Sequence, residues 1–269
     1  VMRTALGEAG GCHITYITVT TSASCLVCVD KDGNSLGRAL MISDKRAEKE
    51  ADIIGNMLEF SEVKKKTGLD MSASLMLPKI LWIKKYAPGI FEKTSFFLTP
   101  NDYLISLLCG EYVTDYLNAV KYHYILSEKC YPRELLEKLG ISESKLPIVV
   151  DTGTLIGKIE GNLAEKVGIN KDAKIVVSSY DAICSFVGSG TTEEGEASDV
   201  SGTVTVFRAL TRKKAIKASD RVYNVPLYQN DIQIVGGSNN LGGGLIEWVK
   251  QCYYQKEEYP YEVMEKDAH

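Results

Sequence analysis

Residues 174–190 read KIVVSSYDAICSFVGSG, and this stretch decides the fold class. Residues 175–178 form a compact apolar run typical of a buried strand, and from Asp181 to Gly188 the apolar residues follow helical spacing. A carboxylate between such a strand and helix lies where α/β proteins bind ligands. Asp181 is therefore either a proton acceptor for a substrate hydroxyl or an N-cap of the helix, and both roles can coexist.

Outward from this stretch, groups of predicted strands alternate with predicted helices, which favours the α/β class. Residues 14–42 predict a β-meander of three strands, with a turn at Asp32-Gly33. Asp44 is the expected N-cap of a helix that ends at Gly68, and residues 1–10 and 255–269 carry no clear element. Further helices are predicted near residues 77–84, 100–108, 132–139, 162–167 and 245–249, and further strands near 146–160, 204–207, 222–227 and 232–235.

Composition excludes several classes of protein. The chain has 269 residues, 45% of them hydrophobic, and a net charge of -4, as expected of a globular protein with about two domains. Basic residues do not cluster, which disfavours nucleic-acid binding. There is no apolar run long enough to span a membrane and no leader pattern, so we expect a cytoplasmic protein.

The cysteines and histidines of the sequence predict neither a disulfide framework nor a metal site or catalytic triad. The seven cysteines are odd in number and scattered, unlike a disulfide framework. Cys25 and Cys28 form a C-x-x-C inside a predicted strand without a second ligand pair, so we interpret them as structural thiols. The three histidines form no ligand-like pair, which argues against a histidine-based metal site or triad.

Two short motifs could bind phosphate. Ser201-Gly202-Thr203 enters a predicted strand and can present backbone N–H groups and a hydroxyl to a phosphate oxygen, or it can be an ordinary turn. Asp151-Thr152-Gly153-Thr154 has the D-x-G-T pattern of phosphate-binding hairpins in actin-like ATPases, but a lone tetrapeptide is weakly specific. Neither a P-loop nor a G-x-G-x-x-G after a strand is present.

Taken in chain order, these and other motifs resemble those of the FGGY carbohydrate kinases. The matching segments are Val29-Asp30 with Asp32-Gly33, Asp44-x-Arg46, Thr67-Gly68 with Lys79-x-x-Trp82, Asp102-Tyr103-Leu104 with Asp115, Leu146-Pro147 with Gly153-Thr154, Asp181-Ala182 with Gly188-Ser189-Gly190, and Ser201-Gly202-Thr203.

The resemblance implies an actin-like ATPase or ribonuclease H-like fold of two domains. Residues 1–190 would be the sugar-side domain, and residues 191–269 would begin the nucleotide-side domain. The implied reaction is ATP-dependent phosphorylation of a sugar or polyol hydroxyl, such as that of a ketopentose, with Mg²⁺ bridging the ATP phosphates. A homodimer is also a reasonable expectation.

The resemblance further assigns roles to individual residues. Asp181 would be the general base and would hold Mg²⁺ indirectly, through a water molecule. Gly202 and Thr203 would contact the ATP phosphate. The substrate contacts would be Ser22, Ala23, Ser24, Asp44 and Ala182, whereas Arg46 is at least as well explained as a solvated helix residue.

Departures from the family pattern leave a second hypothesis. The family has its D-x-G-T hairpin at the very N-terminus, so the copy at residues 151–154 is expected to be an ordinary turn. The chain then resembles the middle of a kinase and is expected to be inactive alone. Because Ile42, Ser179-Tyr180 and Val204 replace the usual residues, the alternative is a non-catalytic, kinase-like sugar-binding protein. Retention of Asp181 and Gly202-Thr203 favours the enzyme.

Overall fold

The computed structural model describes residues 2–8, 10–202, 205–212, 222–227, 232–239 and 242–268. The helices are α1 (Met2–Glu8), α2 (Glu48–Gly55), α3 (Leu58–Thr67), α4 (Met76–Tyr86), α5 (Pro88–Lys93), α6 (Pro100–Cys109), α7 (Tyr116–Ala119), α8 (Arg133–Leu139), α9 (Gly161–Val167), α10 (Asp181–Gly188), α11 (Gly243–Tyr253) and α12 (Pro260–Ala268). The strands are β1 (Tyr16–Thr18), β2 (Val27–Val29), β3 (Phe96–Leu98), β4 (Val113–Asp115), β5 (Ile148–Val150), β6 (Leu155–Lys158), β7 (Lys174–Val176), β8 (Ala197–Ser201), β9 (Thr205–Thr211), β10 (Tyr223–Leu227) and β11 (Ile232–Asn239).

The chain divides into two compact units, residues 1–184 and 185–269, with the division inside α10. In the first unit, β7 lies between β1, to which it is parallel, and β6, to which it is antiparallel. β2 pairs with β3 antiparallel, and β4 pairs with β5 parallel. The mixture of helices with parallel and antiparallel strands confirms the predicted α/β class.

Helix α4 packs at the centre of the main core of the first unit. Its apolar residues Met76, Leu77, Ile80 and Ile83 are buried against residues of α2, α3, α8 and β3. They recur at helical spacing, so one face of α4 is removed from water along its length.

The second unit contains a four-stranded antiparallel sheet in the order β10-β11-β9-β8, followed by α11 and α12. β8 and β9 are antiparallel neighbours in this sheet, with Ser201 opposite Thr205.

The predicted β-meander is wrong. β1 and β2 lie in different sheets, and residues 36–42 contain no strand. Isolated bridges join Leu26 to Leu40 and Val29 to Ser35. Residues 27–28 separate the two bridges on one side and residues 36–39 on the other, so the second segment has two extra residues. Gly37 lies in this bulge with φ of 153°, and the extra residues interrupt regular pairing.

The expectation that both ends of the sequence lack regular structure is also wrong, because α1 and α12 occupy them. Neither helix contains a fully buried residue, and so neither shows the strong apolar stripe that predicts a helix from sequence. Among the described residues, no helix combines the length and apolar character needed to cross a membrane.

Candidate active site

Two parallel strands end at one edge of the three-stranded sheet. β1 and β7 pair in register, with Tyr16 opposite Lys174 and Thr18 opposite Val176. Because the carboxyl ends of parallel strands lie side by side, the segments that follow, residues 19–24 and 177–181, leave the sheet together. Such an edge is where open α/β sheets bind ligands.

Hydrogen bonds join these two segments directly. The Thr20 hydroxyl donates to the backbone carbonyl of Ser179 over 2.9 Å. The N–H of Asp181 donates to the carbonyl of Thr21, also over 2.9 Å. Asp181 is thereby held next to residues 22–24, the predicted substrate contacts, which we call the substrate loop.

Asp181 is the first residue of α10, and its side chain is exposed. Its Oδ1 accepts a hydrogen bond of 2.6 Å from the N–H of Ala182, which is half-buried. An exposed carboxylate at this position can accept a proton from a substrate hydroxyl. The geometry therefore allows Asp181 both a place at the start of the helix and a chemical role.

The substrate loop contains a strained residue. Ser22 is half-buried and Ala23 and Ser24 are buried, and Ser24 has φ of 57°. The left-handed region costs a residue with a Cβ atom about 1–2 kcal/mol. Such conformations persist only where the surroundings enforce them, often at functional sites.

Lys79 of α4 contacts the backbone of this loop. Its side chain is fully buried, and Nζ donates to the backbone carbonyls of Ser24 and Ser74. Burial lowers the pKa of Lys79 to about 8, whereas Cys25 and Asp44 act in the opposite direction. Lys79 was not among the predicted site residues, because its partner Ser24 lies 55 residues earlier in the chain.

Asp44 does not cap a helix, contrary to the prediction, since α2 begins at Glu48 after Ala47. Its carboxylate instead accepts hydrogen bonds from the backbone N–H and Nε of Arg46, at 3.0 and 2.9 Å. Burial opposes ionisation of Asp44, but the hydrogen bonds from Arg46 outweigh it and lower its pKa. The Arg46 guanidinium lies over the Trp82 ring of α4, 4.9 Å from the centroid. Helix α4 therefore contacts both the Asp44–Arg46 pair, through Trp82, and the substrate loop, through Lys79.

Two buried carboxyl groups lie in the elements next to the site. Asp115 ends β4 and accepts the N–H groups at the start of α7, and the Thr152 hydroxyl donates to it over 3.2 Å. Asp102 and Thr99 form the capping box of α6. Burial raises the pKa of both aspartates, that of Asp102 to about 7.

Helix α6 also reaches the segment that carries Asp181. Nδ2 of Asn101, in the first turn of α6, donates to the backbone carbonyl of Ser178 over 3.4 Å. Asn101 is buried and was not predicted as a site residue. No local sequence pattern identifies it, because its partner is far away in the chain.

The D-x-G-T tetrapeptide is a tight turn between β5 and β6. The N–H of Thr154 donates to the carbonyl of Asp151 over 3.1 Å, and Gly153 has φ of 90°. The N–H of Gly153 donates to Val177 over 2.8 Å. This backbone donor is satisfied within the fold, as in an ordinary turn.

In the second unit, Gly202 directly follows β8. Its carbonyl accepts a hydrogen bond of 2.5 Å from the N–H of Gly243, the first residue of α11. Gly202 thus lies at a helix N-terminus, a position where backbone N–H groups suit an anion such as phosphate. Thr203 and Val204 lie outside the described residues.

Cysteines and metal-ligating residues add no further centre to the described part of the chain. Cys25 and Cys28 are free thiols, and burial raises the pKa of Cys28 to about 11. Within the described ranges, no cluster of three or more His, Cys, Asp or Glu side chains could hold a metal ion. A Mg²⁺ ion carried by ATP phosphates needs only one or two protein carboxylates and water, which the exposed Asp181 fits.

Comparison with known proteins places these features in a family. Residues 1–188 match the model of the FGGY family of carbohydrate kinases, N-terminal domain. Gluconokinase of Bacillus subtilis is 25% identical over 265 residues, which is 95% of this chain and 52% of that protein. Xylulose kinase of the same organism is 24% identical over 239 residues, 87% of this chain and 47% of that protein. The chain thus spans about half the length of the curated relatives it matches.

A solved structure, gluconate kinase from Lactobacillus acidophilus, superimposes with a TM-score of 0.86 at 23% identity, covering 98% of this chain and 54% of that one. At this identity the likeness shows the fold, which is that of the FGGY sugar kinases, an actin-like ATPase or ribonuclease H-like fold. The family match covers well over half of the sequence, and the chain therefore belongs to the FGGY family of carbohydrate kinases.

Proposed function

We propose that the protein containing this chain transfers the terminal phosphoryl group of ATP to a hydroxyl of a sugar, polyol or sugar acid. One observation carries the proposal: hydrogen bonds join the segments after β1 and β7, and these hold the exposed carboxylate of Asp181 beside the substrate loop. A proton acceptor next to a hydroxyl-binding loop is what phosphorylation of an alcohol requires.

Asp181 has the central role in this proposal. Its carboxylate accepts the proton of the substrate hydroxyl as that oxygen bonds to phosphorus and the bond to the ADP leaving group breaks. Ser22, Ala23, Ser24, Asp44 and Ala182 orient the substrate, while Gly202 and Thr203 of the second unit contact the ATP phosphates. Mg²⁺, held through a water molecule by Asp181, would neutralise phosphate charge when bound.

The relatives act on substrates of different chemical classes, so they do not identify the substrate of this protein. Gluconokinase acts on a sugar acid, and xylulose kinase acts on a ketopentose. The substrate loop Ser22-Ala23-Ser24 has no charged side chain, and an acid would need a cation to pair with its carboxylate. We therefore keep the ketopentose as the first substrate to test and gluconate as the second.

The test is a turnover screen with the whole protein. ADP release is measured with MgATP and each member of a panel of ketopentoses, polyols and sugar acids, xylulose and gluconate included. We expect sugar-dependent ADP release and a phosphorylated sugar in the mass spectrum. Sugar binding without phosphorylation of any panel member would instead support the non-catalytic alternative.

Two further points belong to the proposal. We expect the 269-residue chain alone to show no phosphorylation in the same screen, because it spans only about half the length of its relatives. Turnover by this chain would contradict that expectation. The assignment of residues 1–190 to a sugar-side domain and 191–269 to the start of a nucleotide-side domain, and the homodimer, are likewise proposals.

A further inference from the structure

We propose that Lys79 is a positioning residue for substrate, because its ammonium group holds the substrate loop in its binding conformation. The inference rests on the proposed function, in which this loop contacts the sugar. It concerns a residue that touches no substrate itself and acts through the backbone of Ser24.

The first step is the cost of placing Lys79 where it is. The side chain is fully buried in the first unit, and an ammonium group out of water is stable only when its donors are matched by acceptors. The acceptors that Nζ contacts are backbone carbonyls, those of Ser24 and Ser74. An apolar residue would fill the same core position without this desolvation, so packing alone does not account for a lysine.

The second step is the conformation that the contact enforces. Ser24 is a non-glycine residue in the left-handed region, with φ of 57°. Donation from Nζ to its carbonyl fixes the orientation of the peptide group between Ser24 and Cys25. Ser74 precedes α4, so the same ammonium group ties the loop to the start of a helix in the main core.

The third step is the position of the loop. Residues 20 and 21 bond to the segment of Asp181, and Lys79 holds the loop at residue 24. Residues 22 and 23, which lie between these anchors, are therefore presented at the sheet edge with both ends of the loop fixed. Removing the Lys79 contact releases one end and leaves the contacts at the Asp181 end intact.

Helix α4 offers a matched control. Nζ of Lys84 also donates to two backbone carbonyls, those of Leu139 at 2.7 Å and Gly140 at 3.1 Å. These carbonyls lie at the end of α8, away from the substrate loop. Lys84→Met removes the same kind of interaction from the same helix without touching residues 22–24.

The first experiment measures the loop without any ligand. Hydrogen–deuterium exchange is followed by mass spectrometry in the 269-residue chain and in its Lys79→Met, Lys79→Gln and Lys84→Met variants. Loss of a hydrogen bond from a charged donor should speed exchange in peptides covering residues 20–26 by about tenfold. We expect this in both Lys79 variants and not in Lys84→Met. Equal exchange in all four proteins would overturn the inference.

The second experiment separates positioning from simple stabilisation. In the whole protein, KM for whichever of xylulose or gluconate is turned over should rise about tenfold in Lys79→Gln. KM for ATP and kcat should change far less, and Lys84→Met should leave all three near wild type. Faster loop exchange with an unchanged sugar KM would overturn the inference. Absence of turnover by the wild type would instead contradict the proposed function, and the exchange result would still decide whether Lys79 holds the loop.

Discussion

At the scale of single residues, replacing Ser24, whose backbone is strained, should change the stability of the chain and its affinity for sugar in opposite directions. Ser24→Gly removes the cost of a left-handed φ and should raise the free energy of unfolding by up to about 1 kcal/mol. The same change removes a hydroxyl from the substrate loop, so sugar affinity in the whole protein should fall. Thermal melting and sugar KM measure the two effects.

Ser22→Gly is the matched control for this prediction. Ser22 is not among the described residues with positive φ, so glycine there gains nothing from strain relief and makes the unfolded chain more flexible. We expect Ser22→Gly to be neutral or destabilising. If both glycine variants shift the melting temperature in the same direction by the same amount, Ser24 is not strained as described.

The raised pKa of Asp102 predicts that the contribution of this residue to stability depends on pH. Burial raises its pKa from 3.8 to about 7 in the folded chain, so between these pH values the folded state binds more protons than the unfolded state. The free energy of unfolding contributed by Asp102 therefore falls as pH rises across this window. Asp102→Asn has no such titration, and its stability relative to wild type should rise from pH 4 to 7 by at most about 4 kcal/mol.

Urea unfolding of the 269-residue chain at several pH values measures this difference. The chain contains two tryptophans, Trp82 in the first unit and the exposed Trp248 in the second. In a Trp248→Phe background, the fluorescence of Trp82 reports the first unit alone. A stability difference between Asp102→Asn and wild type that stays constant with pH would contradict the raised pKa.

At the scale of elements, α6 links the capping of a helix to the candidate site. The Thr99 hydroxyl accepts the N–H of Asp102, and the Asp102 carboxylate accepts the N–H of Thr99. Thr99→Val keeps the shape of the side chain and removes the acceptor, and it should lower the free energy of unfolding by about 1–2 kcal/mol. Thr99→Ser keeps the acceptor and should cost clearly less. Trp82 fluorescence in urea compares them. A loss in Thr99→Ser with no loss in Thr99→Val would mean that packing of the methyl group, not capping, stabilises this end of α6.

Helices with strong local signals were predictable from sequence. Proline begins α6, and glycines in the left-handed conformation end α3, α6 and α8 at Gly68, Gly110 and Gly140. These signals act within a few residues of the chain. The mistaken N-cap at Asp44 shows their limit, because its carboxylate bonds to Arg46 and the helix starts later.

Pairing of distant strands was not predictable in this way. β1 pairs with β7, about 160 residues later, and the bulge at Gly37 keeps residues 36–42 from forming a strand. The candidate site likewise combines a residue that local sequence patterns predict with residues that they do not. Asp181 was predicted from its place between a strand and a helix, whereas Lys79 and Asn101 reach it through contacts at long sequence separation. A single sequence carries no pattern for such contacts.

At the scale of the whole molecule, the chain has the fold of the FGGY kinases over nearly its entire length, yet it spans about half of the relatives it matches. The first unit contains the sheet edge, Asp181 and the substrate loop, while Gly202 and the start of α11 belong to the second. The central claim of the proposed function is the chemical role of Asp181, and this role is tested in the whole protein.

The most direct measurement compares phosphorylated sugar formed by wild type, Asp181→Asn and Asp172→Asn under identical conditions. Asp172 is an exposed carboxylate of the same unit that pairs with His13, and it serves as the matched control. Loss of a general base lowers kcat by about 10²–10⁴-fold, so we expect that loss in Asp181→Asn with sugar binding retained. Asp172→Asn should match the wild type. A kcat for Asp181→Asn within a few-fold of wild type would contradict the account.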